Sequence, residues 1–136
     1  MARFLTIWLV CALACLPVIG ARAQDAPNPE RMFVVDLQKA LRADDRDWIA
    51  NHCRYPVRVG LPGLIQVPNR ATLLRNYGRI FTAPLKASVL AQDPDQVFRN
   101  YQGTMVGDGA TNIWIRGNDA ERDKQQFGIV TVNTTR

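Results

Sequence analysis

The chain has 136 residues, of which 47% are hydrophobic and 21% are charged. These fractions are ordinary for one globular domain, and they exclude a wholly disordered or collagen-like protein. The formal net charge of +5 is compatible with an anionic partner. Residues 4–20, however, carry no charge and account for much of the apolar total.

Residues 1–23 have the pattern of a signal peptide. Arg3 precedes the uncharged apolar run, and Ala21 and Ala23 form the small-x-small pattern that precedes a cleavage site. A membrane-anchoring helix and a lipoprotein anchor at Cys15 are the alternatives, although an apolar run of roughly 17 residues lies at the lower limit for spanning a bilayer. We therefore expect a periplasmic or secreted protein with no stable membrane span after signal cleavage.

Removal of residues 1–23 changes the charge balance. The remaining 113 residues carry a net charge of +3, and Arg70, Arg75 and Arg79 are too widely spaced to form a basic run. This spacing, together with export, argues against nucleic-acid binding. Cys53 is then the only cysteine, so no intramolecular disulfide can form. We expect its thiol to be buried, with a reactive nucleophile or an intermolecular bridge as alternatives.

The folded domain is expected to occupy residues 30–136, after a flexible lead-in at 24–29. Apolar side chains recur at helical spacing from residue 30, which predicts a helix over 30–43. Asp44 or Asp45 can cap a second, shorter helix. Two helices joined so closely form a helical hairpin.

The middle of the chain predicts two short strands followed by helices. Residues 55–59 alternate and are rich in strand-forming residues, with Pro56 near the start of the strand or at a sheet edge. A second strand is expected at 64–67. Asn69 is a good cap for a long helix over 69–81, and a shorter helix follows it.

The last third of the chain is expected to be strands. Residues 97–106, 110–116 and 127–133 are rich in strand formers, and the sequence Gly107-Asp108-Gly109 between the first two is a hairpin signal. Early helices and late strands predict an α+β domain in which the helical hairpin and the long helix pack on one face of a curved antiparallel sheet.

This order of elements resembles the nuclear transport factor 2-like superfamily, also called cystatin-like or ketosteroid-isomerase-like. Four short stretches carry the resemblance, namely 53–59, 69–81, 101–109 and 112–115, and they are similar to small exported bacterial members of that superfamily. The resemblance covers residues 30–135 as a pattern of elements. It implies a cone-shaped domain with one apolar pocket, and it leaves the function open because the fold hosts isomerases, dehydratases, adaptors and other classes.

Enzymes of this superfamily carry a carboxylate base with an oxyanion pair, or a His/Asp dyad, in their pocket. The expected strands 97–106 and 110–116 contain no acidic residue, which argues against chemistry of the steroid-isomerase type. The remaining catalytic candidates are His52, the only histidine, and Asp36 as bases. Tyr55 and Tyr101, both expected on strands, are candidate hydrogen-bond donors.

A second set of candidates lies on the strand expected at 110–116. Asn112, Trp114 and Arg116 alternate there and share one face, so they are candidate ligand-binding residues for an anionic or sugar-like molecule. An ordinary solvated sheet face is the alternative reading. The sequence offers no cluster of metal ligands, and we expect neither a metal nor a cofactor.

The leading functional hypothesis is an exported, non-catalytic binding module that uses its pocket or its exposed sheet face. Its partner would be a small ligand or an envelope protein, and a homodimer through the sheet is a further possibility. The alternatives are a small lyase or isomerase and an immunity or accessory protein for an envelope-acting enzyme.

Overall fold

The computed structural model describes residues 27–61, 63–121 and 124–135, so the expected signal peptide lies outside the described residues. Five helices are described: α1 (Pro29–Ala43), α2 (Arg46–Asn51), α3 (Arg70–Arg75), α4 (Tyr77–Ile80) and α5 (Ala83–Ala91). The described strands are β1 (Cys53–Leu61), β2 (Leu64–Val67), β3 (Phe98–Asn100), β4 (Gly103–Gly107), β5 (Asn112–Gly117) and β6 (Phe127–Asn133). The α+β class is therefore confirmed.

The first two helices form the expected hairpin, and short polar side chains set their ends. The Asn28 side chain accepts hydrogen bonds from the backbone at the start of α1, where Pro29 occupies the first turn. Asp44 ends α1 in the left-handed conformation, with φ 50°, and its carboxylate pairs with Lys86 on α5 at 2.9 Å. The next residue, Asp45, caps α2 by accepting from the Trp48 amide at 2.9 Å.

The six strands form one open sheet in the order β2-β1-β6-β5-β4-β3. The expectation of an antiparallel sheet is wrong in one place, because β6 lies parallel to β1. The chain turns back after β5 to form β6, which lies between β5 and β1 in the sheet. In that position β6 is antiparallel to β5 and parallel to β1. The sheet is therefore mixed, and its other neighbouring pairs are antiparallel.

Side chains alternate between the two faces of this sheet. Those on the helix-facing side form the core with the helices, and they include Val57, Val59, Ile113 and Ile115. Leu37 of α1, fully buried, packs into the same cluster. The opposite face carries no helix in the described part of the chain, and we call it the outer face.

The long helix expected over 69–81 is interrupted. Asn69 caps it as expected, but α3 ends at Arg75 and α4 begins at Tyr77. The Asn76 side chain between them donates to the Thr72 carbonyl at 2.9 Å, so it competes for a carbonyl of the helical hydrogen-bond ladder. The apolar periodicity survives the interruption, because Leu73, Tyr77 and Ile80 are buried.

The strand expected over 97–106 is also divided. A turn at Tyr101 and Gln102 separates β3 from β4. The Asn100 side chain accepts from the Gln102 amide at 2.8 Å, and Gly103 has φ 131°, a value that favours glycine. The polar residue at 100 and the glycine at 103 thus make a tight hairpin within the expected strand.

Glu30 joins the start of α1 to the sheet. Its carboxylate pairs with Arg99 on β3 at 2.6 Å and accepts a hydrogen bond from the Thr104 hydroxyl on β4. The Glu30 side chain is only 13% exposed, so these partners compensate for the loss of its hydration. The pair holds the helical layer against the β3–β4 end of the sheet.

We expect Glu30→Gln to lower the free energy of unfolding by about 1–2 kcal/mol, since it removes a charge-assisted hydrogen bond from a shielded site. Urea unfolding measures this change. Glu121→Gln is the matched control: Glu121 pairs with Lys124, but its side chain is 74% exposed, and we expect a loss below about 0.5 kcal/mol there. Equal losses in the two variants would contradict a structural role for Glu30.

Candidate functional site

The pairing of the strands places a row of side chains across the outer face. Arg58 on β1 is opposite Thr131 on β6, which is opposite Trp114 on β5. The row continues through Met105 on β4 to Phe98 on β3. Phe98, Met105 and Trp114 come from consecutive strands, whereas Arg58 and Thr131 come from distant parts of the sequence and reach the row only through the strand order.

A cleft of about 380 Å³ lies on the β1–β6–β5 part of this face. We call it the arginine cleft, because Arg54, Arg58 and Arg116 line it around Trp114. The other lining residues are neutral: Pro56, Gln102, Val130, Thr131 and Asn133. No carboxylate lines the cleft, and no salt bridge among the described residues engages its arginines. The cleft therefore presents positive charge beside an indole ring.

The three arginines are held to different degrees. Arg54 lies over Gly128 of β6, where a Cβ atom would approach the Arg54 side chain to 2.8 Å, and its guanidinium donates to the carbonyls of Gly117 and Gln126. Arg116 donates from Nε and Nη2 to the Gln102 carbonyl, at 3.2 and 2.9 Å. The structure therefore places Arg54 and Arg116 before any ligand arrives, which lowers the ordering cost of binding.

Two of the three predicted ligand-binding residues line this cleft. Trp114 is half-buried and Arg116 is exposed. Asn112 shares their strand but is only 3% exposed. Its side chain donates to the Asp108 carbonyl at 2.7 Å and accepts from Asn133 at 2.8 Å. Asn112 therefore stabilises the start of β5, and the cleft is lined by its neighbour Asn133 instead of by Asn112 itself.

A second cavity, of about 650 Å³, lies between the start of α1, the α2–β1 junction and the start of β6. His52 and Asp36, the two candidate bases, both line it, together with the apolar side chains of Met32, Phe33 and Phe127. We call it the histidine cavity. Its volume falls within the usual range for small-molecule sites.

The surroundings of His52 determine which of its nitrogen atoms is free. Nδ1 lies 2.6 Å from the Trp48 carbonyl, so it must carry the proton and donate, and Nε2 is the acceptor in the neutral ring. The imidazole also stacks on the Trp48 indole, with a centroid distance of 3.9 Å. No described carboxylate hydrogen-bonds to His52, and Asp36 pairs with Lys39 at 3.3 Å. The two residues share a cavity without forming a dyad.

The remaining sequence candidates are not arranged for catalysis. The Tyr55 hydroxyl donates to the Ala50 carbonyl at 2.8 Å, and burial raises its pKa to about 12. Tyr101 lies in the β3–β4 turn, so its expected position on a strand is wrong, and its side chain is 90% exposed. Burial likewise raises the pKa of the Cys53 thiol to about 12.

The described residues contain no group of three or more His, Cys, Asp and Glu side chains that could hold a metal ion. No described helix is long and apolar enough to cross a membrane. Comparison of the chain with models of protein families, with curated proteins and with solved structures finds no match.

Sequence reasoning missed Arg54 and Arg58. A signal was present, since Arg58 alternates with the apolar residues Val57 and Val59 and so faces away from the core. That alternation could not place β1 two strands from Trp114, because the intervening strand is the last one in the chain.

The raised pKa of Cys53 predicts a thiol that is unreactive in the folded protein, because only the thiolate attacks disulfide reagents. In a Cys11→Ser/Cys15→Ser variant, Cys53 is the only cysteine. We expect Ellman's reagent at pH 8 to modify it at least about 100-fold more slowly than in the urea-unfolded chain. Comparable rates in the two states would contradict the raised pKa of the Cys53 thiol in the folded protein.

Proposed function

We propose that this protein is an exported, non-catalytic binding module that recognises an anionic group in the arginine cleft. The observation that carries the proposal is the grouping of Arg54, Arg58 and Arg116 around Trp114 with no carboxylate in the lining. Guanidinium groups suit carboxylate, sulfate and phosphate oxygens because their N–H groups match the spacing of those acceptors. The neighbouring indole supplies apolar contact for the rest of the ligand.

The proposal includes export and the nuclear transport factor 2-like fold. Export rests on the signal-peptide pattern of residues 1–23. The fold assignment is supported by the helical hairpin, the antiparallel β1–β2 pair and the four strands that follow the helices. In this chain the helix-facing side of the sheet contains the core, and the outer face is left for recognition.

The arginine cleft also bears on the expected partners. In a symmetric dimer through the outer face, three arginines of one copy would approach those of the other, and like charges in contact are costly. We therefore favour a ligand or partner of opposite charge over the homodimer. A phosphate backbone would be attracted to the same charges, but an exported protein does not ordinarily meet nucleic acid.

Removal of cleft arginines is expected to weaken anion binding. With inorganic sulfate as the probe, Arg58→Gln/Arg116→Gln should raise the Kd at least about tenfold, because each guanidinium contributes a charge-assisted hydrogen bond. NMR titration measures the affinity and locates the site through the Trp114 indole N–H resonance.

Arg79→Gln is the matched control, because it removes an exposed positive charge from α4 and leaves the outer face unchanged. We expect the sulfate Kd of this variant to stay within about twofold of the parent value. Sulfate shifts that are absent at Trp114, or that disappear equally in the control, would overturn the proposal.

A small lyase or isomerase is the second candidate function. The observation in its favour is that His52 and Asp36 line one cavity with both apolar and polar walls, and that the Nδ1 contact leaves His52 Nε2 free to accept a proton. In this reading His52 removes a proton from an apolar substrate in the histidine cavity.

If that reading holds, His52→Ala lowers turnover of any substrate found by at least about 100-fold, the usual contribution of a general base. Arg58→Gln is the control, because Arg58 does not line the histidine cavity. Steady-state kinetics on carbonyl compounds with an acidic α-proton provides the measurement. Full activity in His52→Ala would exclude this mechanism.

A further inference from the structure

The outer face changes character along its row of side chains. Its β1 and β6 end contains Arg58 and Thr131, whereas its β5, β4 and β3 end contains Trp114, Met105 and Phe98. Phe98 is 55% exposed although it is a large hydrophobic residue. The row therefore passes from cationic to apolar within one surface.

The apolar end is a defined surface. The Phe98 and Trp114 rings lie edge to face, at 6.3 Å and 89°, and Met105 is opposite both residues in the strand pairing. We call these three residues the aromatic strip. A methionine side chain adapts its shape to an apolar guest at low cost. The backbones of Phe98 and Trp114 are two strand spacings apart, about 10 Å, while their ring centroids are 6.3 Å apart.

The aromatic strip and the arginine cleft share Trp114, so one ligand can occupy both. Arg58 and Phe98 are separated by four strand spacings, a distance of about 19 Å. Charge is confined to one end of this path, which favours a ligand with an anionic group at one end and an apolar chain at the other.

We propose that the ligand of the outer face is a single-chain amphiphile with an anionic head, such as an alkyl sulfate or a fatty-acid anion. Its head binds Arg58 and Arg116, and its chain lies across the sheet on Trp114, Met105 and Phe98. This assignment rests on the proposed function, since it uses the same cleft. It adds the chemical class of the molecule that the cleft recognises.

The extent of the face suits a small molecule. The six strands are three to nine residues long, and together they offer a flat area on the order of 500 Å². A chain that covers 10 Å of the aromatic strip needs no more than the face provides.

The experiment compares three probes by isothermal titration below their critical micelle concentrations. Ethyl sulfate carries the head without the long chain, octyl sulfate carries both, and octyl glucoside carries the chain with an uncharged head. We expect octyl sulfate to bind at least about tenfold more tightly than ethyl sulfate, because methylene groups leave water for the aromatic strip. Octyl glucoside should bind more weakly than octyl sulfate.

Two matched variants test where the chain lies. Phe98→Ser should remove most of the difference between octyl and ethyl sulfate while leaving the ethyl sulfate Kd unchanged. Met32→Ser is the control, because Met32 is 54% exposed, close to the value for Phe98, but lies on α1 and lines the histidine cavity instead of the outer face. It should leave both affinities unchanged. Circular dichroism checks that each variant is folded.

The outcomes separate the two proposals. Equal affinities for ethyl and octyl sulfate, each lost in Arg58→Gln/Arg116→Gln, would overturn the amphiphile assignment and leave the anion site standing. Equal affinities for octyl sulfate and octyl glucoside would overturn both proposals, because the head group would then not matter. A chain-length effect that Met32→Ser removes and Phe98→Ser retains would place the chain in the histidine cavity and overturn the assignment.

Discussion

The position of β6 between β1 and β5 is the constraint on which the rest of the structure depends. Without that strand, the helical hairpin with its β1–β2 pair and the β3–β4–β5 meander would share no sheet. Backbone hydrogen bonds on both edges of β6 join the two halves of the chain. They also set the register in which Arg58 and Trp114 lie on either side of Thr131. The candidate site is thus a consequence of the same pairing that completes the fold.

The two faces of the sheet show how one set of strands both builds the core and displays the candidate site. Val57 and Val59 are directed into the core, and Arg58 between them is exposed. Ile113 and Ile115 flank Trp114 in the same way. Because successive side chains alternate, the apolar residues that fold the sheet also decide which residues are left on the outer face. A site on that face needs no cavity in the core.

The two cavities differ in whether their polar and charged groups already have partners within the protein. In the histidine cavity, His52 Nδ1 donates a hydrogen bond to the Trp48 carbonyl, and the imidazole stacks on the Trp48 indole. The Asp36 carboxylate is paired with Lys39. In the arginine cleft, the positive charges have no described carboxylate partner. An unneutralised positive charge beside an apolar ring attracts an anion from solution. For this reason we propose recognition at the cleft in preference to catalysis at His52.

The sequence by itself determined the local structure, because caps and apolar periodicity act over a few residues. It located α1, the capped start of α2, the Asn69 cap and the whole of β6, and it placed Trp114 and Arg116 on one face. It missed the breaks at Asn76 and Tyr101, where a side-chain hydrogen bond and a turn override the periodic pattern. Only the tertiary structure decided that β6 runs parallel to β1, that Asn112 is buried, and that Arg54 and Arg58 join Trp114. The parallel pairing and the arginine cleft depend on segments separated by more than fifty residues, and the burial of Asn112 depends on Asn133 in the neighbouring strand. Local sequence patterns carry no information about which of these segments pair.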